Sequence, residues 1–383
     1  MIWHFSTTPK IVMGPGAVHS LGQEVKDRGV KRVIIVAGKN VIGAGLGEPA
    51  KASLKTARIK HAVFDGVEAD PRYEIINDCV DMIRNEKASL VIGLGGGSAM
   101  DIAKTSAAMA GNKGPVGDYF GVNLVPKPGL PAIMIPTTAG SGSEVTPIAI
   151  LSDKEEKLKK AIVSPYLFPA ASILDPELTL SLPPSVTATT GMDALIHAIE
   201  AYTSINATDI TDMFCERAIT LIYNNLRSAY ARGNNLSARE AMMEGALLAG
   251  IAFANAGVTA VHAFAYPIGA EFHIPHGVAN TLMLPHVIRF NVLGNLPKFA
   301  ALAGPFGIPT SDLDDIEAVD RIIAAIERLA DDIQVPRSLS EFGVTQEHVH
   351  VLAMGVLKIT RLLANNPRTI TLEDAKAIYE SAL

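Results

Sequence analysis

Two rhythms divide the chain. In the first half, short apolar runs alternate with stretches whose apolar positions recur every three to four residues. Arg32-Val33-Ile34-Ile35-Val36-Ala37 is one continuous apolar run, as expected of a strand buried on both faces. Residues 60–65, 89–93 and 132–136 read as further strands, with shorter ones near 147–151 and 172–174. Helices fall between them. One carries Leu21 and Val25 and closes at Gly29, and one over 71–86 turns Ile75, Ile76, Cys79, Val80 and Ile83 inward. A third starts near Ser98. At the start of the chain, Phe5 and Ile11-Val12-Met13 suggest a short strand pair, with a turn at Gly14-Pro15-Gly16. Strand alternating with helix predicts a parallel sheet flanked by helices. Past Leu182-Pro183-Pro184 the character changes and no further strand-like run appears. Helical periodicity covers 185–204, 208–229, 237–256, 259–270, 277–291, 295–303, 317–333, 346–357 and 372–381. The expected division is α/β over 1–183 and all-helical over 184–383.

Composition narrows the function. With 383 residues the chain is long enough for two full cores. It is 48% hydrophobic and 19% charged, with a formal net charge of −6, as in ordinary globular enzymes. The one basic run is Lys157-Leu158-Lys159-Lys160, and there is one Trp, so no basic face interleaved with aromatics is offered to a nucleic acid. No apolar run reaches membrane-spanning length, and the start of the chain lacks a basic segment followed by an apolar one. Two distant cysteines, Cys79 and Cys215, make neither a disulfide framework nor a metal pattern. A reducing, cytoplasmic setting with no membrane partner is expected.

Chemistry concentrates in three places. After the strand at 89–93 comes Gly95-Gly96-Gly97-Ser98 and then a helix. Glycines let the backbone approach an anion, and the first turn of the helix points free N–H groups at it. The pattern is neither Gly-x-Gly-x-x-Gly nor a triphosphate loop ending in Gly-Lys-Ser/Thr. A second loop of small polar residues, Thr137-Thr138-Ala139-Gly140-Ser141, follows the strand at 132–136. Ligands of open α/β sheets bind at the carboxyl ends of strands, so both loops are expected to touch one extended ligand. The third place is helical. Asp193 and His197 are four apart and leave one helical face, and residues 262–277 hold three of the chain's ten histidines. A carboxylate and imidazoles so gathered suit a divalent metal, against the plainer reading of a core histidine beside a helix-start carboxylate.

Together these motifs resemble the iron-containing (group III) alcohol dehydrogenase family over essentially the whole chain. The resemblance rests on Gly95 to Asp101, Pro136 to Thr146, Gly191 to Glu200, His262 to Asn280, and Asn366-Pro367-Arg368. It implies an α/β dinucleotide-binding domain with a parallel sheet and an all-α metal-binding domain, in the dehydroquinate synthase-like architecture, with the active site between them. It places the metal ligands on Asp193, His197, His262 and His276, for Fe2+ or, equally by ligand chemistry, Zn2+. It puts Gly95, Gly96, Gly97 and Ser98 at the pyrophosphate of NAD or NADP, and Asp101, Thr137, Thr138, Ser141 and Lys160 around the nicotinamide and its ribose. The implied reaction is hydride transfer between a primary or secondary alcohol and NAD(P)+, by a homodimer or larger homo-oligomer acting on a small alcohol or aldehyde.

Two positions depart from the family's commonest pattern. Where many members carry a second histidine four residues after the third ligand, this chain has Tyr266. A phenol titrates near pH 10, so it is a poorer proton shuttle at neutral pH than imidazole. A tyrosine here also occurs in the hydroxyacid–oxoacid transhydrogenase branch. His273 is an alternative imidazole. At the end of the first strand, Gly38 stands where NAD-preferring members carry an aspartate, and Lys39 follows it. Losing a carboxylate that would repel a 2′-phosphate predicts that NADPH is accepted as readily as NADH. A dehydroquinate synthase-like lyase is the remaining alternative. The expected metal-site helices, with Phe253, Ala254, Phe264, Ala265, Pro267 and Ile268, are too apolar for a phosphorylated polyol acid.

Overall fold

A computed structural model describes residues 2–68, 71–153 and 158–383. Lys157, the first residue of the basic run, lies outside them. The chain forms two compact units. One comprises Ser6–Ser181, and the other comprises Leu182–Leu383 together with the amino-terminal residues through Phe5.

The first unit is built on strands β1 (Ile11–Met13), β2 (Arg32–Gly38), β3 (Lys60–Val67), β4 (Val91–Gly95), β5 (Gly121–Val122), β6 (Ala132–Pro136), β7 (Ile148–Asp153), β8 (Leu158–Val163) and β9 (Ala171–Leu174). Six of them form a sheet in the order β1-β9-β6-β4-β2-β3, with every pairing parallel. Its helices are α1 (Leu21–Asp27), α2 (Lys39–Gly43), α3 (Glu48–Thr56), α4 (Ile75–Asn85) and α5 (Gly97–Gly111). Successive side chains of a strand point to opposite faces, and both faces here are covered. Ile34, Val36, Val91 and Met134 enter one apolar cluster with α4 and α5. Val33, Ile35, Ile92, Ile133 and Ile135 enter another with α1 and α3. β2 pairs with β3 on one side and β4 on the other, so the winding direction reverses between β2 and β4. The crevice of such a sheet opens at the carboxyl ends of those two strands.

The amino-terminal strand pair does not form. β1 instead pairs parallel with β9, about 160 residues away in the chain, while Phe5 stacks on Phe214 of the helical unit at 5.9 Å. A second sheet, β5-β8-β7, was not foreseen apart from β7. A buried lysine secures it. Lys104, from α5, donates to the carbonyl oxygens of Ser143 (2.9 Å), Thr146 and Ile148 and pairs with Asp101 at 3.2 Å. Burial pushes its pKa down, and Asp101 and Glu144 act against that.

The second unit contains α6 (Pro184–Thr203), α7 (Asp209–Ala231), α8 (Leu236–Ala256), α9 (Ala260–Phe272), α10 (His276–Asn291), α11 (Leu296–Ala301), α12 (Asp315–Asp332), α13 (Gln346–Leu357), α14 (Thr360–Leu363) and α15 (Leu372–Ser381). No strand occurs past Leu182 among the described residues. Between α8 and α9 the chain bends by 103°. Gly257 sits at that bend with φ +78°, a conformation that favours glycine. No single helix among the described residues is long and apolar enough to cross a membrane. α10 starts against α6 so closely that a Cβ on Gly277 would overlap the Thr189 carbonyl oxygen. α9 is fixed from the other side by Tyr379 of α15, whose buried hydroxyl donates to the Phe264 carbonyl at 2.7 Å.

Candidate metal centre and dinucleotide loops

The helical unit brings three of the four expected ligands together. α6 supplies Asp193, α9 supplies His262 in its first turn, and α10 begins with His276. Their ligand atoms all lie within 4.8 Å of one another. Asp193 Oδ1 is 3.7 Å from Nε2 of both His262 and His276. Asp193 and His262 are buried and His276 is partly open. The side-chain nitrogen of Asn280, one turn along α10 from His276, lies 2.9 Å from Asp193 Oδ1 and 3.2 Å from each of those Nε2 atoms. One carboxylate oxygen and two ring nitrogens therefore face one point.

The fourth expected ligand, His197, is buried one turn after Asp193 and stands outside that group of three. Its ring stacks on His262 (centroids 4.7 Å, 18°) and on Phe253 (4.4 Å, 25°). Burial alone would raise the Asp193 carboxyl, but His197, His276 and His262 hold it far below the usual carboxylate range. Burial alone would lower His262, but Glu200 and Asp193 push it up to about 9. Tyr266, one turn after His262, sets its ring 5.9 Å from that of His276. His273 is placed differently. It is exposed, in the left-handed region at φ 54°, and it terminates α9. The structure thus shows a helix-ending role for it and no place among the clustered ligands.

Sequence reasoning missed Asn280 and Glu200. Glu200 lies on α6 at 1% exposure and contacts His262 Nδ1. The signal was present, because residues 193, 197 and 200 share one face of the otherwise apolar stretch 191–202 of α6.

In the sheet unit the two loops come together as expected. β4 ends at Gly95 (φ +149°), Gly96 precedes α5 in extended conformation, and α5 begins at Gly97 with Ser98 next. A Cβ on Gly97 would sit 3.0 Å from the Ser141 side chain, and one on Gly96 would sit 3.4 Å from Thr138 Oγ1. The Thr137 N–H donates to the Gly95 carbonyl at 2.9 Å. Gly38, which ends β2, precedes α2 on the other side of the crevice position. Thr137 is buried, whereas Ser98, Thr138 and Ser141 are partly open.

Two residues expected around the nicotinamide also hold protein partners. Asp101 is buried, with one carboxylate oxygen accepting from the Ser143 hydroxyl at 2.6 Å and the other from the Ile150 N–H at 2.9 Å. It shapes the loop that a ligand would meet. Lys160, on β8, pairs with Asp153 at 2.8 Å and lies 5.6 Å from the Phe120 ring centroid.

A parallel α/β unit with glycine loops at its switch point, joined in one chain to a helical unit holding a buried Asp–His cluster, is the dehydroquinate synthase-like plan, which serves oxidoreductases and lyases alike. The chain belongs to the iron-containing alcohol dehydrogenase family. It matches "Iron-containing alcohol dehydrogenase" over residues 8–176 and "Fe-containing alcohol dehydrogenase family, C-terminal" over 187–383. It is 40% identical to long-chain-alcohol dehydrogenase 1 of Geobacillus thermodenitrificans, over 97% of this chain and 94% of that one. It is 36% identical to the NAD-dependent methanol dehydrogenase of Bacillus methanolicus, over 99% and 100%. A solved structure of a 1,3-propanediol oxidoreductase, 37% identical, superposes over the full length of both chains with a TM-score of 0.97. The protein is an oxidoreductase of alcohols and aldehydes.

Proposed function

We propose that the chain interconverts primary or secondary alcohols with their aldehydes or ketones, using NAD(P) and a divalent metal, Fe2+ or Zn2+. The convergence of Asp193, His262 and His276 within 4.8 Å carries this reading. Donor chemistry and spacing both fit. A tetrahedral ion bound at about 2.1 Å sets its ligands roughly 3.4 Å apart, near the observed 3.7 Å. Asp193, His262 and His276 would hold the metal, with His197 beside them as the fourth ligand. When bound, the ion would supply Lewis acidity for a small oxygen-bearing substrate.

The protein's own groups do the rest. Asp193, kept anionic by its imidazole neighbours, gives the centre its negative charge. Asn280 holds that carboxylate in place through a 2.9 Å hydrogen bond. Phe253 backs His197 and keeps that side of the centre apolar. Tyr266 offers a hydroxyl one helical turn from His262. The Gly95–Ser98 and Thr137–Ser141 loops take the dinucleotide phosphates and nicotinamide ribose, with Gly38 leaving room for either NADH or NADPH. NAD appears in two relatives, by name in the methanol dehydrogenase and in the NAD+ complex of a sulfoacetaldehyde reductase from Bifidobacterium kashiwanohense, 31% identical at TM-score 0.90, with 100% and 99% of the two chains covered.

The test strips the protein of metal, reloads it anaerobically with Fe(II) or Zn(II), and follows NADH and NADPH oxidation with short aldehydes, semialdehydes and ketoacids. Restored turnover with one metal is the expected result. A protein that binds metal and cofactor but consumes no reduced cofactor would overturn it and favour the transhydrogenase that Tyr266 suggests. Paired hydroxyacid and oxoacid substrates would then show exchange.

A further inference from the structure

Glu200 is a buried carboxylate that the reaction does not use. It sits on α6 seven residues after Asp193, at 1% exposure, yet it points at a different helix. Its Oε1 accepts from the Thr259 N–H (3.1 Å), the Thr259 hydroxyl (2.7 Å) and the Val261 N–H (2.7 Å). Its Oε2 faces His262 Nδ1 at hydrogen-bond distance. Thr259 is the N-cap residue of α9 and Val261 its second residue. One side chain of α6 therefore satisfies orphan donors at the start of α9 and grips the imidazole that α9 presents.

The two jobs have one chemical consequence. A carboxylate only accepts hydrogen bonds, so the nitrogen it touches must carry the hydrogen. Nδ1 of His262 then carries a hydrogen in both the cationic and the neutral ring, and Nε2 is the nitrogen that gives up its proton when a metal binds. Nε2 is the atom that faces Asp193 Oδ1 at 3.7 Å and Asn280 at 3.2 Å. We infer that Glu200 is a positioning residue that fixes the tautomer and ring angle of His262 so that Nε2 is offered to the centre. This inference rests on the metal reading above.

Glutamine cannot replace it. Its amide has one accepting end and one donating end. With the oxygen toward His262, the NH2 meets the Thr259 and Val261 N–H groups. With the oxygen toward α9, the NH2 meets Nδ1 and favours the wrong tautomer. Either way donors face donors.

The experiment compares the wild type with Glu200→Gln and Tyr379→Phe. Tyr379→Phe removes the other anchor of α9 while leaving His262 and its carboxylate untouched. Zn(II) and Co(II) dissociation constants are measured by chelator competition, and thermal midpoints are measured on the metal-free proteins. Glu200→Gln is expected to weaken metal binding by about 10- to 100-fold, the usual cost of losing such an orienting partner. Tyr379→Phe is expected to lower the midpoint while leaving the dissociation constants within about twofold of wild type, as befits a lost anchor outside the ligand set. Equal metal affinity in Glu200→Gln and wild type would overturn the inference. So would a loss in Tyr379→Phe as large as in Glu200→Gln, because Glu200 would then act only through α9 packing. A wild type that binds neither metal would remove the metal reading itself. Nitrogen-15 NMR of histidine-labelled, zinc-loaded wild type gives a check that needs no Glu200 variant to fold. With the His262 signals assigned by their loss in His262→Asn, a proton on Nδ1 is expected, and a proton on Nε2 would refute the assignment.

Discussion

Asp193 illustrates how much of the site depends on single atoms. Its Oδ1 is the one oxygen addressed by Nε2 of His262, Nε2 of His276 and the Asn280 amide. Asp193→Asn keeps the shape and removes the charge. Metal affinity is expected to fall by more than about a hundredfold, beyond what losing an outer-shell partner costs, as read by metal content after dialysis. Glu144 shows a different residue effect. It is fully buried, and burial pushes its carboxyl up to about 7 from 4.5, with backbone hydrogen bonding and Lys104 offsetting only part. Between those values the folded chain keeps a proton that the unfolded chain has lost. Its contribution is therefore most favourable at low pH, falls as pH rises through 7, and is flat above. Glu144→Gln removes that slope. From pH 5 to 8 the variant should gain stability relative to wild type, by up to roughly 3 kcal/mol, in denaturant titrations at each pH. Asp193, His262 and His276, the residues that converge, were legible because polar groups on apolar helices stand out. Glu200 and Asn280 were overlooked: Glu200 shares a face with Asp193 and His197, but its contacts on α9, and those of Asn280 on α6 and α9, do not show as spacing along one helix.

At the scale of elements, close helix contact fixes the centre. α10 starts against α6 at Gly277, and His276 is the residue just before it. Any Cβ at 277 meets the Thr189 backbone, which cannot rotate away as a side chain would. Gly277→Ala is expected to cost about 1–3 kcal/mol by overpacking and to weaken metal binding by moving His276. Denaturant unfolding and chelator competition should change together, and an unaltered metal affinity would separate helix packing from the centre. The longer helices of the second unit were readable to within a few residues because a sustained period of 3.6 is a strong signal, whereas the four-residue α14 was not. β8 was not readable, since Lys159 and Lys160 interrupt it and its support comes from β5 and β7. β1 was found, but its partner was misjudged. A hairpin is the local solution, whereas the parallel pairing to β9 depends on everything folded between them.

Across the whole molecule, the two proposed tasks fall in separate units of the chain. The residues that converge for a metal all lie beyond Leu182, and the glycine loops all lie before Ser181. The sequence signals this division as a change near residue 183, because strand-like runs alternate with helical periodicity before it and only helical periodicity follows. It also predicts a double dissociation. Gly97→Val places branched carbons where even a Cβ would lie 3.0 Å from Ser141. Under the proposed reading, glycine there lets the backbone approach a phosphate, so NADH affinity is expected to fall about tenfold or more. Metal content should remain at the wild-type level. Asp193→Asn should do the reverse, losing metal while retaining NADH binding. Fluorescence titration with NADH and metal analysis of the same samples read both. Turnover depends on both groups and should fail in each variant, so activity alone cannot assign the tasks. If each substitution removed both ligands, the two halves of the chain would not bind independently, and the assignment of one task to each would have to be abandoned.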